Sequence, residues 1–168
     1  SAHVSASPNH QTQRASGMEF RFAVAAPHPL GLELDLRALE QAESVVIRDW
    51  LTWYKQCRRH LQFGTLHRGD WGGAAGSGIV QLAVEQDGSI LAFRYATRPR
   101  TNDWNGLWRV EAAPPGPVWI RQVPGDHRPR LVPGAALTQG VQPPHLHDGQ
   151  SAVLEIIPAT KDPVHDVA

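Results

Sequence analysis

Residues 36–64 read LRALEQAESVVIRDWLTWYKQCRRHLQFG, and this stretch decides the architecture of the front of the chain. Leu39, Val46, Ile47, Trp50, Tyr54, Cys57 and Leu61 recur at helical steps and gather on one stripe. Glu40, Glu43, Arg48, Asp49, Lys55, Arg58 and Arg59 take the other faces. Acidic residues in the first turns and Arg58, Arg59 and His60 in the last complement the helix dipole, and Gly64 supplies a stop. The spacing predicts one long helix from Leu36 to Phe63.

Upstream of it, Phe20 to Ala26 and Leu30 to Leu36 are short apolar stretches interrupted by Pro27 and Pro29. Glu33 and Asp35 alternate with Leu32, Leu34 and Leu36, so an extended segment here would set both carboxylates on one face and lead into the helix. Before that, Ala2 to Arg14 has no apolar period and reads as a loop. Downstream of Gly64, Ile79 to Glu85 and Ile90 to Tyr95 flank Asp87-Gly88, a strong hairpin signal. Leu107 to Glu111, Val118 to Val123, Ala135 to Thr138 and Ala152 to Ile157 read as further short strands, with Trp119 in the core. The chain is therefore expected to be α+β, dividing near Thr65 into an α-containing front and an antiparallel β-sandwich behind it.

The composition narrows the function classes. Over 168 residues, 16 Lys and Arg balance 16 Asp and Glu, so no global field draws in nucleic acid or anionic lipid. Glycine and proline together make up 29 residues, above the average share of about 12%, which favours many turns and little helix. No apolar run approaches the roughly 20 residues that span a bilayer. Residues 1–14 are too polar for a signal peptide, and the lone cysteine, Cys57, excludes an internal disulfide and a cysteine-based zinc site. These features lead to the expectation of a cytoplasmic protein that binds neither nucleic acid nor membrane.

Four groups of residues can carry chemistry. His3, Ser5, Asn9 and His10 lie in a polar stretch able to hydrogen-bond a polyhydroxylated ligand, or equally to cap its own backbone. Glu33 and Asp35 can act as paired carboxylates of a glycosidase, or pair with Arg14, Arg21 or Arg37. Trp104 and Trp108, beside Asn102, Asp103 and Asn105, can stack on a sugar or fill a core. His145, His147 and Asp148 are bracketed by turn residues and supply too few ligands for a zinc site, so no metal or other cofactor is expected.

The order His3-Val4-Ser5, Pro8-Asn9-His10-Gln11-Thr12, Val24-Ala25, Gly31-x-Glu33-Leu34-Asp35-Leu36 and Tyr54-Lys55 resembles the C-terminal part of the α-galactosidases of glycoside hydrolase family 36, the melibiases. The resemblance is specific in the front third and diffuse behind it. It implies that residues 1–64 are the end of a (β/α)8 barrel, with the last strand, its loop and a long helix, and that residues 65–168 are a C-terminal β-sandwich domain. It further implies an enzyme releasing terminal α-linked galactose from melibiose-type or raffinose-type sugars with retention, possessing two aspartates upstream of His3. Retention needs both carboxylates, so a chain with neither is expected to be inactive alone, with no catalytic residue of its own. His3, Ser5, Asn9 and His10 are then expected to face the substrate, and the whole enzyme to form a homo-oligomer. The start at Ser1 and its dense polar residues lead to the expectation of a cut through a larger barrel. Gln13 stands where the family commonly has glycine, Pro27 to Pro29 replaces an aromatic-glycine stretch, and Leu32 replaces a frequent tyrosine. The other reading is a free-standing β-sandwich used for carbohydrate binding or assembly, with the front as an adaptor.

Overall fold

The computed structural model describes residues 2–11, 13–69, 79–96, 110, 112–125, 128–140 and 151–161. The first unit runs β1 (Ala2–Ser5), α1 (Met18–Ala25), β2 (Leu30–Glu33) and α2 (Gln41–Phe63). β1 and β2 are parallel, with His3 opposite Gly31, Val4 opposite Leu32 and Ser5 opposite Glu33. Parallel neighbours need a crossover, and α1 lies on the connection between them.

One local expectation changes here, and one stretch without an assignment takes a definite form. The stretch read as a loop begins as a strand, because Val4 finds a fully buried place in the helix-lined core while His3 beside it stays exposed. The apolar run near Phe20 is helical, because Met18, Phe22 and Ala25 recur at helical spacing on the buried side. Pro27 and Pro29 follow directly and deny the helix further backbone donors.

α2 is the long helix, starting at Gln41 rather than Leu36. Asp35 accepts a bond from the Arg37 amide and starts a 3-10 turn over Leu36–Ala38, which uses up the residues before the helix. Glu40 and Glu43 then form a reciprocal capping box, satisfying amides that the first turn leaves unpaired. The buried stripe is Ile47, Trp50, Trp53, Tyr54, Cys57 and Leu61. Trp50 stacks on Phe22 of α1, with ring centroids 5.5 Å apart, and meets Trp53 edge-on at 5.4 Å.

Gly64 ends α2 for a reason other than the one its position suggests. Its φ is −74°, which any residue adopts, so no left-handed cap is involved. A Cβ there would lie 2.6 Å from the His60 carbonyl oxygen and 2.8 Å from that of Glu85. Glycine lets the chain pass between the end of the helix and the sheet.

Behind α2, β3 (Thr65–Gly69), β4 (Ile79–Gln86), β5 (Ser89–Ala96), β6 (Pro117–Gln122), β7 (Arg130–Pro133) and β8 (Ser151–Pro158) form one antiparallel sheet in the order β3-β4-β5-β8-β6-β7. The hairpin at Asp87-Gly88 forms as its sequence predicts: φ values of 52° and 78° match the turn that follows the strands' twist. One face of the sheet, through Leu82, Val84, Leu91, Phe93 and Val153, shares its core with α1 and α2. The other face, through Ala83, Ile90, Ala92, Ile120, Leu154 and Ile156, packs on Val110, Ala113 and Leu137.

The molecule is thus mixed α and β around an antiparallel six-stranded sheet. A second sheet facing the first, as a sandwich requires, is not among the described residues. The segment read as a strand at Ala135 to Thr138 is instead a short helix, α3 (Gly134–Gln139), which buries Leu137 and whose Leu137 carbonyl accepts from the Val110 amide at 2.9 Å. Trp119 is half-buried, since its neighbours Val118 and Ile120 take the covered face of β6. Most of the strand expected at Leu107 to Glu111 lies outside the described residues.

Candidate functional site

Strand alternation sorts the front polar residues. Val4 points into the core beneath α1, so His3 and Ser5 share the opposite face of β1, and the register puts Gly31 and Glu33 of β2 beside them. The His3 Nδ1 lies 3.5 Å from the Glu33 Oε2. Gly31 makes room for that histidine, because a Cβ would sit 2.4 Å from the His3 Cδ2. Ser5 and Glu33 are the last residues of two adjacent parallel strands, the end at which βα folds assemble ligand sites.

The loop after β1 is held by its own hydrogen bonds. The Asn9 amide donates to the Arg14 carbonyl at 2.9 Å, the Gln13 amide donates to the Asn9 carbonyl at 2.8 Å, and the Asn9 Oδ1 accepts from the Gln11 amide at 3.0 Å. His10 is exposed, and its carbonyl accepts from the Gln13 Nε2 at 3.0 Å. Ser7 Oγ accepts from the Ser16 amide at 3.1 Å and joins the two ends of the loop. Asn9 therefore does the backbone capping that a polar loop needs. Gln13 adopts φ 54°, a left-handed conformation that glycine takes without strain, which accounts for the glycine expected in its place.

The carboxylate pair separates. β2 ends at Glu33, so no single strand presents both acids. Asp35 binds the Arg37 guanidinium through both oxygens at 3.0 and 3.1 Å, and that side-chain bond holds its carboxyl below the usual carboxylate range. The structure thus brings together His3, Ser5 and Glu33, leaves Asn9 and His10 in the adjoining loop, and gives Asp35 to the helix start.

Sequence reasoning offered Arg21 only as a partner for Glu33 or Asp35, and the structure gives it others. From within the apolar α1 its guanidinium donates to the Ser5 carbonyl, and it lies 3.6 Å from the Glu43 carboxylate of α2. Its side chain is only 9% exposed, so it joins the end of β1 to the start of the long helix. The signal was an arginine inside an otherwise apolar helical stripe. Trp104, Trp108, His145, His147 and Asp148 lie outside the described residues. Among the described residues no group of three or more His, Cys, Asp or Glu is placed to hold a metal ion.

The comparisons with known proteins agree with one another. Residues 1–64 match the Melibiase family model. The chain is 42% identical over 124 residues to the α-galactosidase AgaA of Geobacillus stearothermophilus, which covers 74% of this chain and 15% of that enzyme. It is 48% identical over 67 residues to α-galactosidase 1 of Pediococcus pentosaceus, covering 40% of this chain and 9% of the relative. The α-galactosidase of Lactobacillus brevis superposes with a TM-score of 0.78 at 26% identity, over 96% of this chain and 22% of that one. The chain is thus similar over most of its length to a part of the GH36 α-galactosidases. It spans a small fraction of the length of these relatives. AgaA solved in complex with raffinose superposes on 93% of this chain with a TM-score of 0.77, at 24% identity, and shares its fold.

Proposed function

We propose that this chain works as the C-terminal portion of a retaining α-galactosidase that hydrolyses terminal α-D-galactosides of the melibiose and raffinose class. In this reading residues 1–64 complete a (β/α)8 barrel and residues 65–168 form the C-terminal β domain. The carrying observation is the parallel β1-α1-β2 unit followed by α2, the repeating unit of such a barrel, over the same residues that match the Melibiase model. In a closed barrel each strand is paired on both sides, whereas the described residues pair β1 and β2 only with each other. Leu32 and Leu36 are exposed at 37% and 57%, and in this reading further barrel elements would cover them.

The residues that would do the chemistry follow from the reaction. Double displacement needs one carboxylate to attack the anomeric carbon and a second to protonate the leaving oxygen. Glu33 is paired with His3 and Asp35 with Arg37, so neither is offered that role, and both catalytic aspartates are assigned to an upstream part of the barrel. His3 and Ser5, at the mouth of the barrel, would then hydrogen-bond sugar hydroxyls, with Asn9 and His10 shaping the adjoining loop. A cytoplasmic setting and a homo-oligomeric whole enzyme belong to the same proposal, in keeping with the single, buried Cys57.

The test joins this chain to the upstream portion of AgaA and measures hydrolysis of a chromogenic α-galactoside. The chimaera should be active, and the 168-residue chain alone should not. Turnover by the chain alone, or a folded but inactive chimaera, would overturn the proposal.

A further inference from the structure

We propose that the cleft between the C-terminal half of α2 and the β5–β8 part of the sheet is a binding site for a neutral, hydroxyl-rich ligand of monosaccharide size. The cleft holds about 330 Å³, at the small end of the roughly 300–1,000 Å³ of small-molecule sites. Gln56, Arg59 and His60 line it from α2, Asp87 from the hairpin, Glu155 from β8, and Lys161 from the segment that follows. None of these belongs to the polar face of β1 and β2.

The cleft contains a charge that packing alone does not require. Glu155 is 3% exposed and takes a hydrogen bond from the Arg121 guanidinium. A buried ion pair of this kind stabilises a fold no better than apolar residues of the same volume, because both ions lose their water. Burial pushes the Glu155 carboxyl up, and it pushes His60 down, while the His60 Nε2 stays 2.7 Å from the Val84 carbonyl oxygen. Two perturbed titratable groups in one cleft are a physical mark of a binding site.

The signs of the lining select the ligand. Arg59 and Lys161 offer donors, Asp87 and Glu155 offer acceptors, and Gln56 offers both. A free anion would meet two carboxylates, and a free cation would meet two basic groups. Hydroxyls donate and accept at once, so a neutral polyol satisfies both sets. Leu91 and Ile157 add an apolar wall for the C–H face of a sugar ring. The hydroxyl-rich class follows from the cleft alone; only the expectation that galactose is among the sugars bound rests on the galactosidase reading.

The test is a nuclear magnetic resonance titration of the full chain with galactose, glucose and inorganic phosphate in turn. Saturable shifts with a hexose, in the millimolar range and centred on the amides near Arg59, Asp87 and Glu155, support the site. The Arg59→Ala and Asp87→Asn double variant should weaken binding at least about tenfold, and Arg59→Ala alone, at an exposed helix position, should weaken it in the same direction. Arg48→Ala, outside the cleft lining, should change nothing. The site is overturned if neither hexose gives a saturable shift, if phosphate binds there instead, or if the folded double variant binds as the parent does. Glucose binding without galactose supports the site and removes only the choice of sugar. Failure of the galactosidase reading would appear separately, in the activity of the chimaera.

Discussion

The front unit and the sheet behind it solve opposite problems. In the front, two short parallel strands bury one face on α1 and leave His3, Ser5 and Glu33 on the other, so what that face presents is polar chemistry rather than volume. In the sheet, both faces are covered, and Leu82, Phe93, Ile120 and Ile156 have only to be apolar and of suitable volume. The family model follows the same division: it matches residues 1–64, whereas likeness in fold to one solved α-galactosidase extends over 96% of the chain at 26% identity. Packing tolerates substitution as long as pattern and volume persist.

α2 carries both regions, so the sharpest way to break the comparison is at Trp50. This residue is 1% exposed, stacked on Phe22 and set against Trp53, whose ring in turn meets Phe93 of the sheet at 6.2 Å. Trp50→Ala should cost about 3–5 kcal/mol in urea denaturation and loosen both regions in one transition. Loss of the front alone, with the sheet melting as in the parent, would show that the two cores are independent.

A smaller effect is expected at the junction. Gly64→Ala would drive a Cβ against two backbone carbonyls, and overpacking of this kind should cost about 1–3 kcal/mol in thermal or urea unfolding. An unchanged midpoint would mean that the helix end moves freely over β4.

The smallest is a pH dependence at His60, which ties α2 to β4. Burial lowers its pKa most, against the raising effects of the Val84 carbonyl, Glu85 and Asp87, while Lys161 lowers it further. The unfolded chain, with a histidine pKa of about 6.5, therefore takes up the proton first as pH falls. The stability due to the neutral ring is complete above that value and is lost as pH drops through the folded-state pKa. His60→Gln should flatten this part of the stability profile, and an unaltered slope would place the dependence elsewhere.

Much of the fold was legible in residue order. The stripe from Val46 to Leu61 announced α2, and Asp87-Gly88 announced the hairpin, because helical spacing and a turn demanding positive φ are local properties. The helix start was misplaced because Asp35 captures the chain in a 3-10 turn first, a competition that periodicity does not register. α3 was read as a strand because a six-residue apolar segment carries too little period to distinguish the two, and the burial of Leu137 decides it. β7 carries no clear alternation of its own and becomes a strand by pairing with β6 at the edge of the sheet.

The candidate site divides similarly. The sequence named His3 and Ser5, and strand alternation makes them neighbours on one face. It did not show that Glu33 joins them while Asp35 leaves for Arg37, because a cross-strand register and the end of a strand are not written in spacing. Nor did it give Arg21 its partners or single out the Glu155–Arg121 pair, which lies 34 residues apart in sequence.

By itself, then, the sequence determined the long helix, the hairpin and the ordered front motif that ties this chain to the GH36 α-galactosidases, since each is a matter of local period, turn chemistry or residue order. Only the tertiary structure decided which side chains face one another, how α2 is shared between two cores, and where a buried carboxylate opens onto a cleft. Those depend on contacts between residues far apart in the chain, where burial and register, rather than local preference, set the free energy.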